Sequence, residues 1–305
     1  MDDLYYAPGM PTDDREDHIV KAIALKGHVK ATAIRSTAAV QKMMEIHNTT
    51  PAVTAALGRF ISASLLIAEN MKNDDDTQTT IIKCDGSIKG MTCVCDSHGN
   101  ARCYPNENEV ETTYYYPGKI NVAQAVGNGT LTVIRDIGLR DPFVGTVELV
   151  SGEIAEDFTY YLASSEQTPS IVALGVLLKD GHVEHAGGMV IQLMPGYTEE
   201  DVVYLEERVN GGFPEITFLM EEGLSPAKML DMFLGDPDIT YMSGYPISYK
   251  CNCSKERMSN GIAALGKSEV KALAEDEAGI TTECHFCNSK YHFSSDELKK
   301  MLEEI

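Results

Sequence analysis

The chain has 305 residues, 43% of them apolar, and carries a formal net charge of −21 together with 8 cysteines. That length accommodates one large domain and a smaller one, each able to bury a core. The acidic balance counts against a nucleic-acid binder, whose affinity would come from Lys and Arg neutralising phosphates.

The opening MDDLYYAPGMPTDDRED is acidic and lacks the basic segment, apolar run and small-residue cleavage site of a secretory leader. The expectation is a cytoplasmic protein with reduced thiols, where clustered cysteines point to metal or redox chemistry rather than permanent disulfides. From His18 to Ser36, small or apolar residues alternate with polar ones on either side of Lys26-Gly27, as in a hairpin. Two helices are predicted next. One covers Thr37 to His47 with apolar positions Ala38, Val40, Met43 and Met44; the other starts at Pro51 behind Thr50 as N-cap. The second is apolar enough to raise the question of a membrane span, but Arg59 and Glu69 interrupt it and a buried core helix accounts for it.

After the acidic loop MKNDDDTQ, strand signals dominate: TTIIKC, KGMTCVCD, NARCYP, NVAQAVGNGTLTVIRDI with a Gly-Asn-Gly turn, and FVGTVELVSG. EIAEDFTYYLASSE reads as an amphipathic helix and SIVALGVLLKDGHVEHAGGMVIQLMP as a hairpin turning at Asp180-Gly181. Helices segregated from runs of strands imply an α+β domain ending near Pro195. Beyond it, TEEDVVYLEERV starts at Thr198 with Asp201 placed for a capping box, and SPAKMLDMFLG starts at Ser225 and Pro226. Such short helices lack a core of their own and must pack on a neighbouring domain.

From about Ser248 the tail is a separate module: C-x-C at Cys251 and Cys253, helices near 254–265 and 268–277, then C-x-x-C at Cys284 and Cys287 between ITTE and KYHF, and an end helix capped near Ser294 or Ser295. Four thiolates in two close pairs are the ligand set of a structural zinc site, which replaces a hydrophobic core in a small module. In an extended C-x-C both side chains fall on one face, so both sulfurs can reach one ion. Zinc is favoured over a set of plain buried thiols, which would not cluster, and over a thioredoxin-like active pair, which needs a βαβ context. His285 and His292 lie near enough to be substitute ligands but are expected at the periphery, and Lys255 and Arg257 default to solvated charges. Residues 251–305 hold seven basic and ten acidic side chains, a poor nucleic-acid ribbon. Cys84, Cys93, Cys95 and Cys103 sit in strand-like runs and read as buried small apolar residues.

The tail CNCSKERMSNGIAALG…ECHFCNSKYHF, with TPAVTAALGRF, SGEIAEDFTYYLASSEQTPSIVALGV, GGMVIQLMPG and LEERV, resembles the heat shock protein 33 family of bacterial redox-regulated holdase chaperones over nearly the whole chain. The segment DGSIKGMTCVCDSHGNARCYP is more polar and cysteine-rich than the family's usual strand there. The resemblance implies an α+β fold in three parts: an N-terminal chaperone domain of β-sheets packed with helices (1–195), a helical redox-sensitive linker (196–247) and a zinc-binding redox-switch domain (248–305). It implies one Zn2+ per chain on Cys251, Cys253, Cys284 and Cys287 in the reduced form. Oxidation would form the disulfides Cys251–Cys253 and Cys284–Cys287 with zinc release. Partners would be unfolding client proteins, with neither nucleic acid nor membrane, and a homodimer is an option for the oxidised state. The alternative from another class is a zinc-dependent or thiol-disulfide enzyme using the tail cysteines. Against it stand a coordination shell closed by four thiolates and a main domain without nucleophile elbow, phosphate loop or metalloprotease motif.

Overall fold

The computed structural model describes residues 9, 13–71 and 73–305. Most of the acidic N-terminal stretch read for a leader, and Lys72 of the MKNDDDTQ loop, lie outside the described residues. Contacts divide the chain into two compact units, Met1–Tyr249 and Lys250–Ile305.

In the first unit, β1 (His18–Ala24) and β2 (Val29–Arg35) form the expected hairpin through a 3₁₀ turn at Leu25–Gly27. α1 (Thr37–His47) buries Ala39, Val40, Met43 and His47, while Ala38, predicted on the apolar side, is exposed. α2 (Pro51–Ala68) is the one helix among the described residues long and apolar enough to cross a membrane, and 94% of it is buried inside the fold. Thr50 occupies its N-cap position, yet the Thr50 hydroxyl donates to the Val110 carbonyl at 2.8 Å. The amide of Ala52 is instead taken by Thr112 Oγ1 at 3.1 Å, so the helix start is satisfied from a distant loop.

β3 (Thr77–Cys84), β4 (Gly90–Asp96) and β5 (Asn100–Pro105) follow the strand expectations. A small hairpin, β6 (Tyr114–Tyr116) with β7 (Lys119–Ile120), was not foreseen. The reading of NVAQAV as a strand is corrected: Val122–Val126 is a short helix, α3, because the Asn121 side chain accepts from the Gln124 amide and starts a turn. The Gly-Asn-Gly segment therefore joins a helix to β8 (Gly129–Asp136) and does not close a hairpin. β9 (Phe143–Glu148), α4 (Ala155–Ser164), β10 (Ser170–Lys179) and β11 (His182–Leu193) complete this stretch, the last two as the predicted hairpin.

Next come α5 (Glu199–Asn210), α6 (Ile216–Glu221), α7 (Pro226–Leu234), β12 (Thr240–Pro246) and β13 (Ser248–Tyr249). The Thr198–Asp201 capping box is formed in both directions, and Ser225 caps α7. α6 and β12 had no counterpart in the sequence reading.

Two sheets enclose α2. One has the order β10-β11-β2-β1-β12, the other β13-β5-β4-β3-β8-β9, with only β13 and β5 parallel. α2 packs on β10 and β11 of the first sheet and on β4 and β5 of the second, which explains why nearly every one of its side chains is buried. The opposite face of the first sheet is lined by Val20, Ala22, Val29, Ala31, Ala33, Met189 and Ile191, and α5, α6 and α7 cover it through Leu205, Leu219, Met229, Leu230 and Phe233. β2 is consequently buried on both faces. Gly175 permits the close approach of α6: a Cβ there would stand 2.8 Å from Thr217 Cγ2.

The second unit contains α8 (Lys255–Ala263), α9 (Lys267–Ala274), the hairpin β14 (Ile280–Glu283) with β15 (Lys290–Phe293), and α10 (Ser295–Glu304) with a capping box at Ser294 and Glu297. Its buried apolar core is limited to Ile262, Val270, Ala274, Phe293, Leu298 and Met301.

Candidate metal centre

Four sulfurs meet in the second unit. The β14–β15 hairpin presents Cys284 and Cys287 on its connecting turn, where the Cys284 amide donates to Ser289 O at 2.9 Å and the Cys287 and Asn288 amides both turn back on Cys284 O at 3.2 and 2.8 Å. Asn288 takes the left-handed backbone conformation that closes such a turn, with φ of 55°. Cys251 and Cys253 precede α8, whose N-cap is Ser254. All four Sγ atoms lie within 4.8 Å of one another, with Cys251 to Cys284 at 3.7 Å and Cys253 to Cys287 at 3.3 Å.

This geometry fits a tetrahedral thiolate site. With zinc–sulfur bonds of about 2.3 Å, sulfurs at tetrahedral corners stand about 3.8 Å apart. Among the described residues this is the only group of three or more Cys, His, Asp or Glu so arranged. The donors are all soft sulfur, the set that suits zinc, and no histidine joins them: His285 and His292 are exposed, the latter 3.3 Å from Thr281 Oγ1. Lys255 pairs with Glu297 at 2.5 Å and lies over the Phe293 ring, and Arg257 donates to Asn252 O at 3.3 Å. These two cations therefore have partners other than the sulfurs.

Two side chains that sequence reasoning missed do touch the sulfurs. The Tyr291 hydroxyl is 3.1 Å from Cys253 Sγ, and the Ser289 hydroxyl is 3.2 Å from Cys287 Sγ. Tyr291 reaches the site because the hairpin register sets it opposite Thr282 on β14; nothing in KYHF taken alone marks it. Burial pushes the Cys287 thiol up, but hydrogen bonds with the Ser289 hydroxyl and amide and with the neighbouring thiols outweigh it and bring the group down to about 7. Burial pushes Cys251 and Cys284 up. Tyr291 is pushed up to about 12 by its hydrogen bond to Cys253. Cys287 is thus the thiol of this set held below its ordinary range, and the four sulfurs together form a group able to coordinate a metal ion.

The four other cysteines do not make such a site. Cys93, Cys95 and Cys103 are fully buried in the second sheet, with Cys93 directly opposite Cys103 and 3.8 Å from Cys95. Cys84 is half-buried at the end of β3.

Two sheets around a buried helix, followed by a small unit gathered on four thiols, define a large α+β protein carrying a metallothiol module. The family described as "Hsp33 protein" matches residues 17–294. The 33 kDa chaperonin of Lachnoclostridium phytofermentans is 41% identical over 94% of this chain and 98% of its own length, and that of Clostridioides difficile is 43% identical over 95% and 99%. The crystal structure of the 33 kDa chaperonin (heat shock protein 33 homolog) from Thermotoga maritima superposes with a TM-score of 0.85 at 31% identity, covering 95% of this chain and 98% of that one. The chain belongs to the Hsp33 family.

Proposed function

We propose that this protein is a redox-regulated holdase of the cytoplasm: it binds unfolding proteins and keeps them from aggregating under oxidative stress. Membership of the Hsp33 family makes it a chaperone that works by binding, not an enzyme, and the catalytic alternative is set aside on that ground. The observation that carries the regulatory part is the four-thiol cluster in a unit whose own core is six buried side chains. A core that small does not hold a domain of this length without a staple.

In the reduced form Cys251, Cys253, Cys284 and Cys287 hold one Zn2+ per chain as thiolates. Zinc, when bound, supplies folding free energy to the unit. Tyr291 and Ser289 orient Cys253 and Cys287 by hydrogen bonds, as groups around a metal site do. Peroxide converts the four thiolates to two disulfides, Cys251–Cys253 and Cys284–Cys287. For each bond two thiolates give up two electrons, the peroxide O–O bond breaks, and two protons from solvent complete two waters. The approaches of 3.7 and 3.3 Å join members of different pairs, and the sulfurs must move to reach a disulfide bond of about 2.05 Å. Cys284–Cys287 is expected first, since C-x-C closes a smaller and more strained ring.

Functionally we assign residues 1–195 as the chaperone domain, 196–247 as the redox-sensitive linker and 248–305 as the switch domain, with a homodimer as an option for the oxidised state. The route from switch to linker is covalent and short. Cys251 lies two residues beyond Tyr249, which is buried with its hydroxyl 2.8 Å from Cys103 O. Just upstream the Ser248 amide donates to Gly99 O at 3.0 Å and the Ile247 amide to Asp17 O at 3.1 Å. This strip is the covalent junction between the switch domain and β12, and in the proposed switch its bonds to the first unit must break before β12 and the helices before it are released.

The test measures zinc content and suppression of client aggregation on one sample, before and after peroxide under mild heat. Expected are one zinc per chain in the reduced form, its release on oxidation and a parallel rise in activity, with Cys284→Ser lowering zinc affinity. Full activity with zinc bound and all four thiols alkylatable would overturn the reading.

A further inference from the structure

We infer that β12 holds the place of a client: the edge of β1 it covers is where an extended apolar segment of an unfolding protein adds as a strand. The inference rests on the proposed release of residues 196–247 and names the surface that release uncovers. Four of the five strands in the first sheet, β10, β11, β2 and β1, come from residues before Pro195; the fifth, β12, comes from the linker. It pairs antiparallel with β1 from His18–Pro246 to Ile23–Thr240. Removing it turns β1 into an edge strand with a row of unpaired backbone donors and acceptors, a template for any extended chain.

The surface beside that edge has a chemistry suited to unfolded chains. Val20, Ala22 and Ala24 of β1 and Val29, Ala31 and Ala33 of β2 are each at most 2% exposed and form a floor of small apolar side chains under α7. A floor of small side chains offers no deep pocket to select a particular residue. An added strand would gain backbone hydrogen bonds independent of its sequence and bury alternate apolar side chains at the margin of this floor.

β12 is a poor strand for the position it fills, as a displaceable occupant should be. Its sequence TYMSGYP contains Gly244 and Pro246, and the register shifts between Lys21 and Ala22, leaving Met242 without a partner and 52% exposed. The irregularity turns Tyr245 to the α2 side of the sheet and Tyr241 to the linker side. There the Tyr241 hydroxyl lies 2.8 Å from Ala227 O and 2.7 Å from Asp231 Oδ1 of α7, so strand and helix are tied to leave together. Two further links hold the linker to the tip of the β1–β2 hairpin: the Leu25 amide donates to Asp236 Oδ2 at 2.6 Å, and His28 Nδ1 lies 2.8 Å from Asp201 Oδ2. Among the described residues the outer edges of β9 and β10 carry no paired strand, so they cannot account for binding that begins only on oxidation.

Hydrogen exchange by mass spectrometry on the full chain tests this, with reduced, carboxymethylated α-lactalbumin as an unfolded probe lacking thiols. Expected is an acceleration of tenfold or more in residues 18–24 and 240–246 on oxidation, followed by recovery of protection in 18–24, but not in 240–246, when the probe binds. A Tyr241→Pro/Ser243→Pro variant frees β12 without oxidation. It should bind the probe with zinc retained and all four tail thiols reduced, again protecting 18–24. Probe bound to oxidised protein or variant with 18–24 still exchanging freely overturns the inference, as does a variant with 18–24 exposed that binds nothing. Protection of 18–24 that rises with protein concentration and needs no probe assigns the edge to a second copy and overturns it too. If oxidised wild type keeps 240–246 protected while the variant binds through 18–24, linker release fails and the client edge stands.

Discussion

Replacing Tyr241 by Phe removes one oxygen and leaves the ring that packs on the linker side of the sheet. The lost hydroxyl spans the Ala227 carbonyl and the Asp231 carboxylate. Burial, reinforced by Asp231, pushes the phenol above its ordinary range, so it is a donor at any physiological pH. A hydrogen bond to a charged acceptor contributes about 1.5–3 kcal/mol. Because the Asp231 end is solvent-exposed, the net loss should be at the lower end, about 1–2 kcal/mol, or a factor of about 5–30 in the local opening equilibrium. The loss falls on one link between β12 and α7, so it should appear as faster hydrogen exchange in 226–234 and 240–246 of the reduced, zinc-bound protein, with exchange in α2 unchanged. The same variant should reach holdase activity at milder peroxide and heat than wild type. Unchanged exchange in 240–246 would refute the reasoning that this hydroxyl restrains the strand.

Cys93→Ser should leave zinc content at the wild-type value, because Cys93 lies in the second sheet and outside the tail cluster, while the shorter hydroxyl, buried beside Cys95, Cys103 and the Ser64 hydroxyl, changes the stability of the first unit by no more than about 1 kcal/mol; metal analysis beside a urea titration checks both. Asp17 is raised to about 6 by burial, against the amides of Ala39, Ala38 and Thr37 and the Arg35 charge that favour its ionised form. The native state then holds this proton more tightly than the unfolded chain, so its contribution to stability is full below pH ~4 and is lost as pH rises through about 6, an effect of about 3 kcal/mol. Asp17→Asn should therefore gain stability relative to wild type between pH 4 and pH 7 by about that amount in paired urea titrations, and a pH-independent difference would refute the assignment.

What the sequence by itself determined is local. Both cysteine pairs, the β1–β2 and β10–β11 hairpins, the Thr198–Asp201 capping box and the start of α10 were legible because each depends on residues within a few positions of one another, where spacing and side-chain type set the geometry. The burial of Pro51–Ala68 was legible as well, since a helix apolar on every side must be enclosed. Tertiary structure decided the rest. NVAQAV carries strand-compatible residues, and its helix follows from a cap at Asn121 that competes with pairing. Thr112 satisfies the start of α2 from sixty residues away. Tyr291 meets Cys253 only through the register of its hairpin. TYMSGYP, with Gly and Pro in it, is a weak strand by propensity and becomes β12 because β1 has one side left unpaired. Pairing across more than two hundred residues follows from which edge the rest of the fold leaves open, and no pattern within either segment encodes it.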